Sequence, residues 1–164
     1  MISQEQLKNL FGYCPDTGVF IRKVQTCNRV RKGDVAGSLH PLGYLTIRIG
    51  RKNYYAHRLA WFYVYGKWPQ QVDHINHDKA DNRLCNLRNV TDVENRKNQT
   101  LRTDNSSGVC GVAWDKHYSK WKAHIGTNRK PKTLGYFDDV FDAICVRKSA
   151  EARFGFHQNH GSSL

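Results

Sequence analysis

Helical spacing of Leu7, Leu10 and Phe11 follows directly on Ser3-Gln4-Glu5-Gln6, whose serine and glutamine make a capping-box pattern, so a short opening helix is predicted. Pro15-Asp16-Thr17-Gly18 reads as a turn, Val19-Phe20-Ile21 as the start of a strand, and Tyr44 to Ile49 as a second strand with alternating character. A basic loop, Arg29 to Lys32, lies between the two, and Gly50 to Asn53 turns the chain into Tyr54 and Tyr55. His57 to Tyr65 is mostly apolar, and Gly66 with Pro69 gives a buried helix a natural stop. Thr91-Asp92-Val93-Glu94 is a second capping box and sets Asn95 in the second turn of a helix. Asn98 to Gly108 is polar and small, which suits an exposed linker. Beyond it Cys110 to Trp114, Trp121 to Ile125 and Thr133 to Phe137 read as strands. Asp139 to Phe154 reads as an amphipathic helix capped by Asp139, stopped by Gly155, with Val140, Phe141, Ile144 and Cys145 on one face.

The pattern fits an α+β protein of one medium domain or two small ones, and 164 residues with 39% hydrophobic content can bury a modest core. Charge narrows the partner: 26 Lys+Arg against 14 Asp+Glu leave +12, which favours a polyanion. No apolar stretch approaches the roughly 20 residues that span a bilayer, and Met1 to Gln6 lacks the basic start and apolar run of a signal peptide. The five cysteines are odd in number, scattered, and form no Cys-x-x-Cys pair, so neither a disulfide framework nor a structural zinc is expected. Reduced thiols in a cytoplasmic protein follow.

One constellation carries chemistry. Asp73-His74 is followed twelve residues later by Asn86 and after nine more by Asn95. Singly, each could be a turn or cap residue, because Asp and Asn are common there. Together they supply a carboxylate, a second oxygen donor, a neutral base and a group to hold that base, which one divalent ion and one activated water need to cut a phosphodiester. Their order and spacing resemble the HNH endonuclease family. Ala56-His57-Arg58-Leu59-Ala60-Trp61 and Gly66-Lys67-Trp68-Pro69, upstream of Val72-Asp73-His74-Ile75, resemble its phage and intron-homing branch.

That resemblance implies a ββα-metal unit over about 71–100 in a nuclease domain of 1–100. His74 would be the general base, Asn86 its orienting asparagine, and Asp73 with Asn95 the ligands of Mg2+ or another divalent ion such as Mn2+. His57 and Arg58 open the helix before the site, where either a phosphate contact or, for His57, a core position is open. Arg83 and Arg88 flank Asn86 and either clamp phosphate or pair with Asp81 or Asp92. His77, Asp78 and Asp81 are expected on a solvated loop.

After a linker at 101–107, residues 108–160 offer three strands and a helix. With Ser107-Gly108-Val109, Lys120-Trp121-Lys122-Ala123 and Leu134-Gly135-Tyr136-Phe137 they resemble the Apetala/ERF-type DNA-binding domain. The resemblance lays that sheet in the DNA major groove. Alternation then puts Lys122 and His124 on the DNA side and Trp121 and Ile125 toward the helix, with Thr133, Lys132 and Arg129 near the next turn. Ala113, Gly126 and Pro131 stand where plant members carry arginines, so mostly phosphate contacts are expected. The combined expectation is a monomeric, metal-dependent, homing-type endonuclease acting on double-stranded DNA, with no membrane partner. The alternatives are a non-catalytic DNA-binding regulator and an RNA-directed nuclease or binder.

Overall fold

The computed structural model describes residues 2–26, 29–127 and 130–162. The chain divides into two compact units, Met1–Thr91 and Asp92–Leu164. In the first, helix α1 (Gln4–Leu10) begins at a complete capping box: the Ser3 hydroxyl accepts from the Gln6 N–H at 3.1 Å and the Gln6 side chain accepts from the Ser3 N–H at 3.0 Å. Strands β1 (Phe11–Tyr13), β2 (Phe20–Arg22) and β3 (Val35–Ala36) form one antiparallel sheet, and β4 (Ser38–Leu39), β5 (Leu45–Ile49) and β6 (Lys52–Tyr55) another. Helix α2 (Ala56–Tyr65) ends at Gly66, whose φ of +69° suits the left-handed cap that glycine adopts without a Cβ penalty.

Leu7, Phe11, Phe20, Ile47, Leu59 and Ala60 are buried together between α1, the strands and α2. Each large apolar side chain so buried contributes about 1.5–3 kcal/mol. Trp68, just past α2, stacks on Phe62 at 4.3 Å and on Tyr54 at 5.9 Å, so the chain leaves the helix in a fixed direction toward β7 (Gln71–His74). Strand β7 pairs antiparallel with β8 (Leu87–Val90), and residues 75–86 between them make an excursion that ends in a 3-10 turn at Leu84–Asn86.

In the second unit α3 (Asp92–Arg96) precedes an antiparallel sheet of β9 (Val112–Asp115), β10 (Lys120–Thr127) and β11 (Lys130–Phe137), with β10 in the middle and α4 (Val140–Arg153) packed on it. Val112, Ala123 and Ala143 form the core, flanked by Trp121, Leu134, Val140 and Ile144. Asp139 caps α4 as expected, its carboxylate accepting from the Phe141 N–H at 2.6 Å.

The buried face of α4 departs from the expected one. Phe141 is 72% exposed and Cys145 is exposed, whereas Arg147 and Glu151 are buried with Ala143 and Ala150. Arg147 and Glu151 can occupy the core stripe because they neutralise each other, Nε donating to the carboxylate at 3.0 Å.

The division between Thr91 and Asp92 falls ahead of the linker expected at 101–107. The stretch after α3 belongs with the C-terminal segment instead. Lys97 and Gln99 carbonyls accept from the His157 and Gly161 N–H groups at 3.0 and 2.7 Å, and the Leu101 N–H donates to Ser162. Among the described residues no helix is long and apolar enough to cross a membrane.

Gly18 closes the turn after β1 with φ +72°, and its Cα faces the backbone of Asn82 and Arg83. A Cβ there would lie 2.5 Å from the Arg83 nitrogen and the Asn82 carbonyl carbon. We predict that Gly18→Ala lowers the unfolding free energy by at least about 2 kcal/mol, because positive φ and a backbone clash combine. Urea denaturation of variant and wild type measures this, and equal midpoints would refute it.

Candidate active site

Strand β7 delivers Asp73 and His74 in succession, so their side chains leave opposite faces, and both are buried, at 9% and 5% exposed. Across the hairpin Asp73 stands opposite Arg88, and His74 opposite Leu87. That register gives Arg88 a partner not among those expected. Its Nε and one terminal nitrogen both donate to Asp73 Oδ2, at 2.9 and 2.6 Å, so its partner is neither Asp81 nor Asp92. Arg83 pairs with Asp81 instead, at 2.6 and 2.8 Å, and the contact holds the Asp81 carboxyl well below its usual range, at about 2.

Asn86 holds the loop. Its Oδ1 accepts from the Asn76 N–H at 3.0 Å, its Nδ2 donates to the Asp81 carbonyl at 2.9 Å, and its own carbonyl accepts from the Ile75 N–H at 2.9 Å. The expected hydrogen bond to the His74 ring is met by a different residue, Asn82, whose Oδ1 lies 3.4 Å from Nε2. A carboxamide oxygen only accepts, so in this arrangement Nε2 carries the proton and Nδ1 the lone pair. Asn82 is itself held at both ends: Nδ2 donates to the Ala80 carbonyl at 3.0 Å, and its carbonyl accepts from the Tyr13 hydroxyl at 2.7 Å. Nothing local in the sequence marks Asn82 or Tyr13. The pair forms because the Pro15 carbonyl also accepts from the Leu84 N–H at 2.9 Å, pinning the first hairpin to this loop.

Rings surround His74: His57 at 5.0 Å, edge-on, and Tyr44 at 6.0 Å. His57 in turn stacks on Tyr55 at 5.4 Å and is buried, which places it in the core beside His74. Arg58, next to it, donates to the carbonyls of Pro69 and Gln70 at 2.9 and 3.4 Å and steers the chain into β7. His77, expected on a solvated loop, is buried and adopts φ +66°. Burial pushes the His74 pKa below 6.5, outweighing the Asn82 hydrogen bond and the attraction of Asp73, Asp78 and Asp81. His57 is pushed down to about 3 by burial, then by His74 and Arg58. Two adjacent imidazoles are thus neutral at pH 7.

The structure brings Asp73, His74, Asn82, Asn86 and Arg88 together in the first unit. Asn95 lies on α3 in the second unit, half-buried. Lys122, Lys132 and Thr133 lie on the C-terminal sheet, with Lys122 over the Tyr136 ring at 5.6 Å. His124 departs from the expected alternation: the ladder is irregular between Ala123 and His124, and His124 is half-buried beside Arg147, which donates to its carbonyl at 2.9 Å. Arg129 lies outside the described residues.

Among the described residues no group of three or more His, Cys, Asp and Glu side chains could hold a metal ion. The Asp73 carboxylate is by its chemistry an oxygen donor for a hard ion that keeps most of its water shell.

A carboxylate and a neutral imidazole buried at successive positions of a two-stranded hairpin are among the groups that metal-assisted hydrolysis of phosphate esters uses. Residues 54–97 match the family model described as HNH endonuclease, a segment running from β6 through α3. No curated protein and no solved structure matches the chain.

Acid should unfold this site. The His57 pKa of about 3 in the folded chain lies below its ordinary 6.5, so the folded state binds fewer protons than the unfolded one between these values. The stability tied to neutral His57 is complete above pH 6.5 and is lost as the pH falls toward 3. The limiting slope is about 1.4 kcal/mol per pH unit. Urea unfolding between neutral and mildly acidic pH should show a shallower slope for His57→Gln than for wild type, whereas identical slopes would show that His57 does not stay neutral.

Proposed function

We propose that the chain is an endonuclease that hydrolyses phosphodiester bonds in DNA with a divalent ion. The observation that carries this reading is His74, buried, neutral and oriented by Asn82, directly after Asp73 in the segment that matches the HNH endonuclease model. His74 takes the proton of the attacking water on its unprotonated ring nitrogen. Asn82 fixes the ring angle and tautomer, and Asn86 keeps the loop closed around it. Asp73 would hold the ion, and the family resemblance assigns Asn95 the second oxygen. When bound, the ion supplies positive charge to the phosphate and to the departing oxygen. Mg2+ or Mn2+ fits such oxygen donors.

The second unit we read as the DNA-positioning part, similar to the Apetala/ERF type. Its support is a three-stranded antiparallel sheet backed by one helix, with Lys122, Lys132 and Thr133 on the strands. Likeness to the phage and intron-homing branch makes a homing-type, site-directed cut the favoured activity.

A second reading has one observation behind it. Both Arg88 contacts fall on one oxygen of Asp73, which neutralises the carboxylate that the ion needs. A DNA-binding regulator that retains the nuclease unit as a scaffold would keep that pair closed.

Supercoiled plasmid incubated with the protein and Mg2+ or Mn2+ separates the two readings. Nuclease activity predicts relaxed or linear product that chelator abolishes, with His74→Ala slower by at least about 100-fold, the usual contribution of a general base. Plasmid left equally intact by wild type and variant across metals and sequences would leave the scaffold reading standing.

A further inference from the structure

The second unit carries a solvent-open pocket of about 530 Å³ that the cleavage chemistry does not use. Its size is typical of sites for small organic ligands, which run about 300–1,000 Å³. Arg96, Lys97, Arg102, Lys130 and Arg147 line it, and no aspartate or glutamate does.

Three of these cations, Arg96, Lys97 and Lys130, are not cancelled by a carboxylate among the described residues. Lys97 Nζ donates to the Phe154 carbonyl at 2.6 Å and lies 5.7 Å over the Phe156 ring, and Arg147 lies 5.1 Å over the same ring. Contact with a carbonyl or an aromatic face fixes an ammonium group yet leaves its charge in place. Arg147 does meet Glu151, and Arg102 meets Asp104. Arg96, Lys97 and Lys130 make no salt bridge among the described residues. Positive charge lining a concave surface with low-dielectric walls concentrates potential and favours an anion.

Inorganic phosphate would satisfy the charge but not the volume. Phe154, Pro131 and Val93 add apolar lining to the same cavity, which suits a flat ring. Phosphate joined to a flat ring is a nucleotide. Paired bases are stacked inside a duplex, so only a nucleotide out of the stack can lay the face of its base against Phe154 and Pro131.

We propose that this cavity binds one unpaired nucleotide, its phosphate against Arg96, Lys97 and Lys130 and its base against Phe154 and Pro131. A free nucleotide and a nucleotide within a single-stranded stretch present the same chemistry. The site does not depend on the first unit cutting DNA.

The test uses the full chain in chelator, so that binding is read whether or not the protein is a nuclease. Fluorescence anisotropy follows a labelled short oligothymidylate and a duplex of equal length at fixed salt. Phe154→Ala should weaken single-strand binding at least about fivefold, the low end for one lost base stack, and leave duplex binding within about twofold. Arg96 is exposed, so Arg96→Gln tests the site even if Phe154→Ala fails to fold. It should weaken single-strand binding and flatten the salt dependence by about 0.7 in log–log slope. Displacement of the labelled strand by thymidine monophosphate would mark a free nucleotide as sufficient. No displacement, with both variants weakened, would mark a nucleotide within a strand. Wild-type single-strand affinity in both folded variants would overturn the proposal, as would an equal loss for duplex and single strand in Phe154→Ala.

Discussion

Residues 75–86 must return the chain from β7 to β8 while carrying His77, Asn82 and Asn86 into the interior, and everything at the site depends on how they do so. An unsatisfied buried amide costs about 1–3 kcal/mol. The loop supplies partners from within itself: Asn86 uses both ends of its carboxamide on loop backbone, and Asn76 bridges Asp81 and the Asp78 N–H. Only with the loop so closed does Asn82 reach the His74 ring and Arg83 its carboxylate. Stability and chemistry share these bonds, so no substitution at Asn86 can be read as chemical alone.

Much of the fold was legible in the sequence wherever the deciding interaction is local. The capping box at Ser3, the apolar run ended by Gly66 and the Asp139 cap each lie within a few residues of what they specify. That Asp73 and His74 close a short strand was legible for the same reason. What escaped depends on partners distant in sequence. Asn82 replaces Asn86 at the His74 ring only because Tyr13 and Pro15 hold the loop from the first hairpin. Arg88 finds Asp73 through strand register, which spacing does not reveal. Hydrophobicity chose Phe141 for the buried face of α4, whereas a mutually neutralised Arg147–Glu151 pair sits there.

Charge is distributed unevenly in this +12 chain. Several of its few carboxylates have specific duties: Asp73 to Arg88, Asp81 to Arg83, Glu151 to Arg147 and Lys148. The imidazoles nearest Asp73 are kept neutral by burial, so the heart of the first unit is nearly uncharged. The excess of positive charge is left to outward-facing lysines and arginines. That separation lets a polyanion be attracted at long range while the buried imidazoles stay neutral.

The bond from Leu84 to Pro15 has a consequence in time. It joins residues at opposite ends of the first unit, and contacts so distant in sequence are among the last that a folding chain can afford to close. Strands β7 and β8 can pair locally, but the Asn82 corner takes shape only when the N-terminal hairpin docks on it. A ribosome would thus release every residue of the hairpin and helix α2 before the contact between Asn82 and His74 can exist.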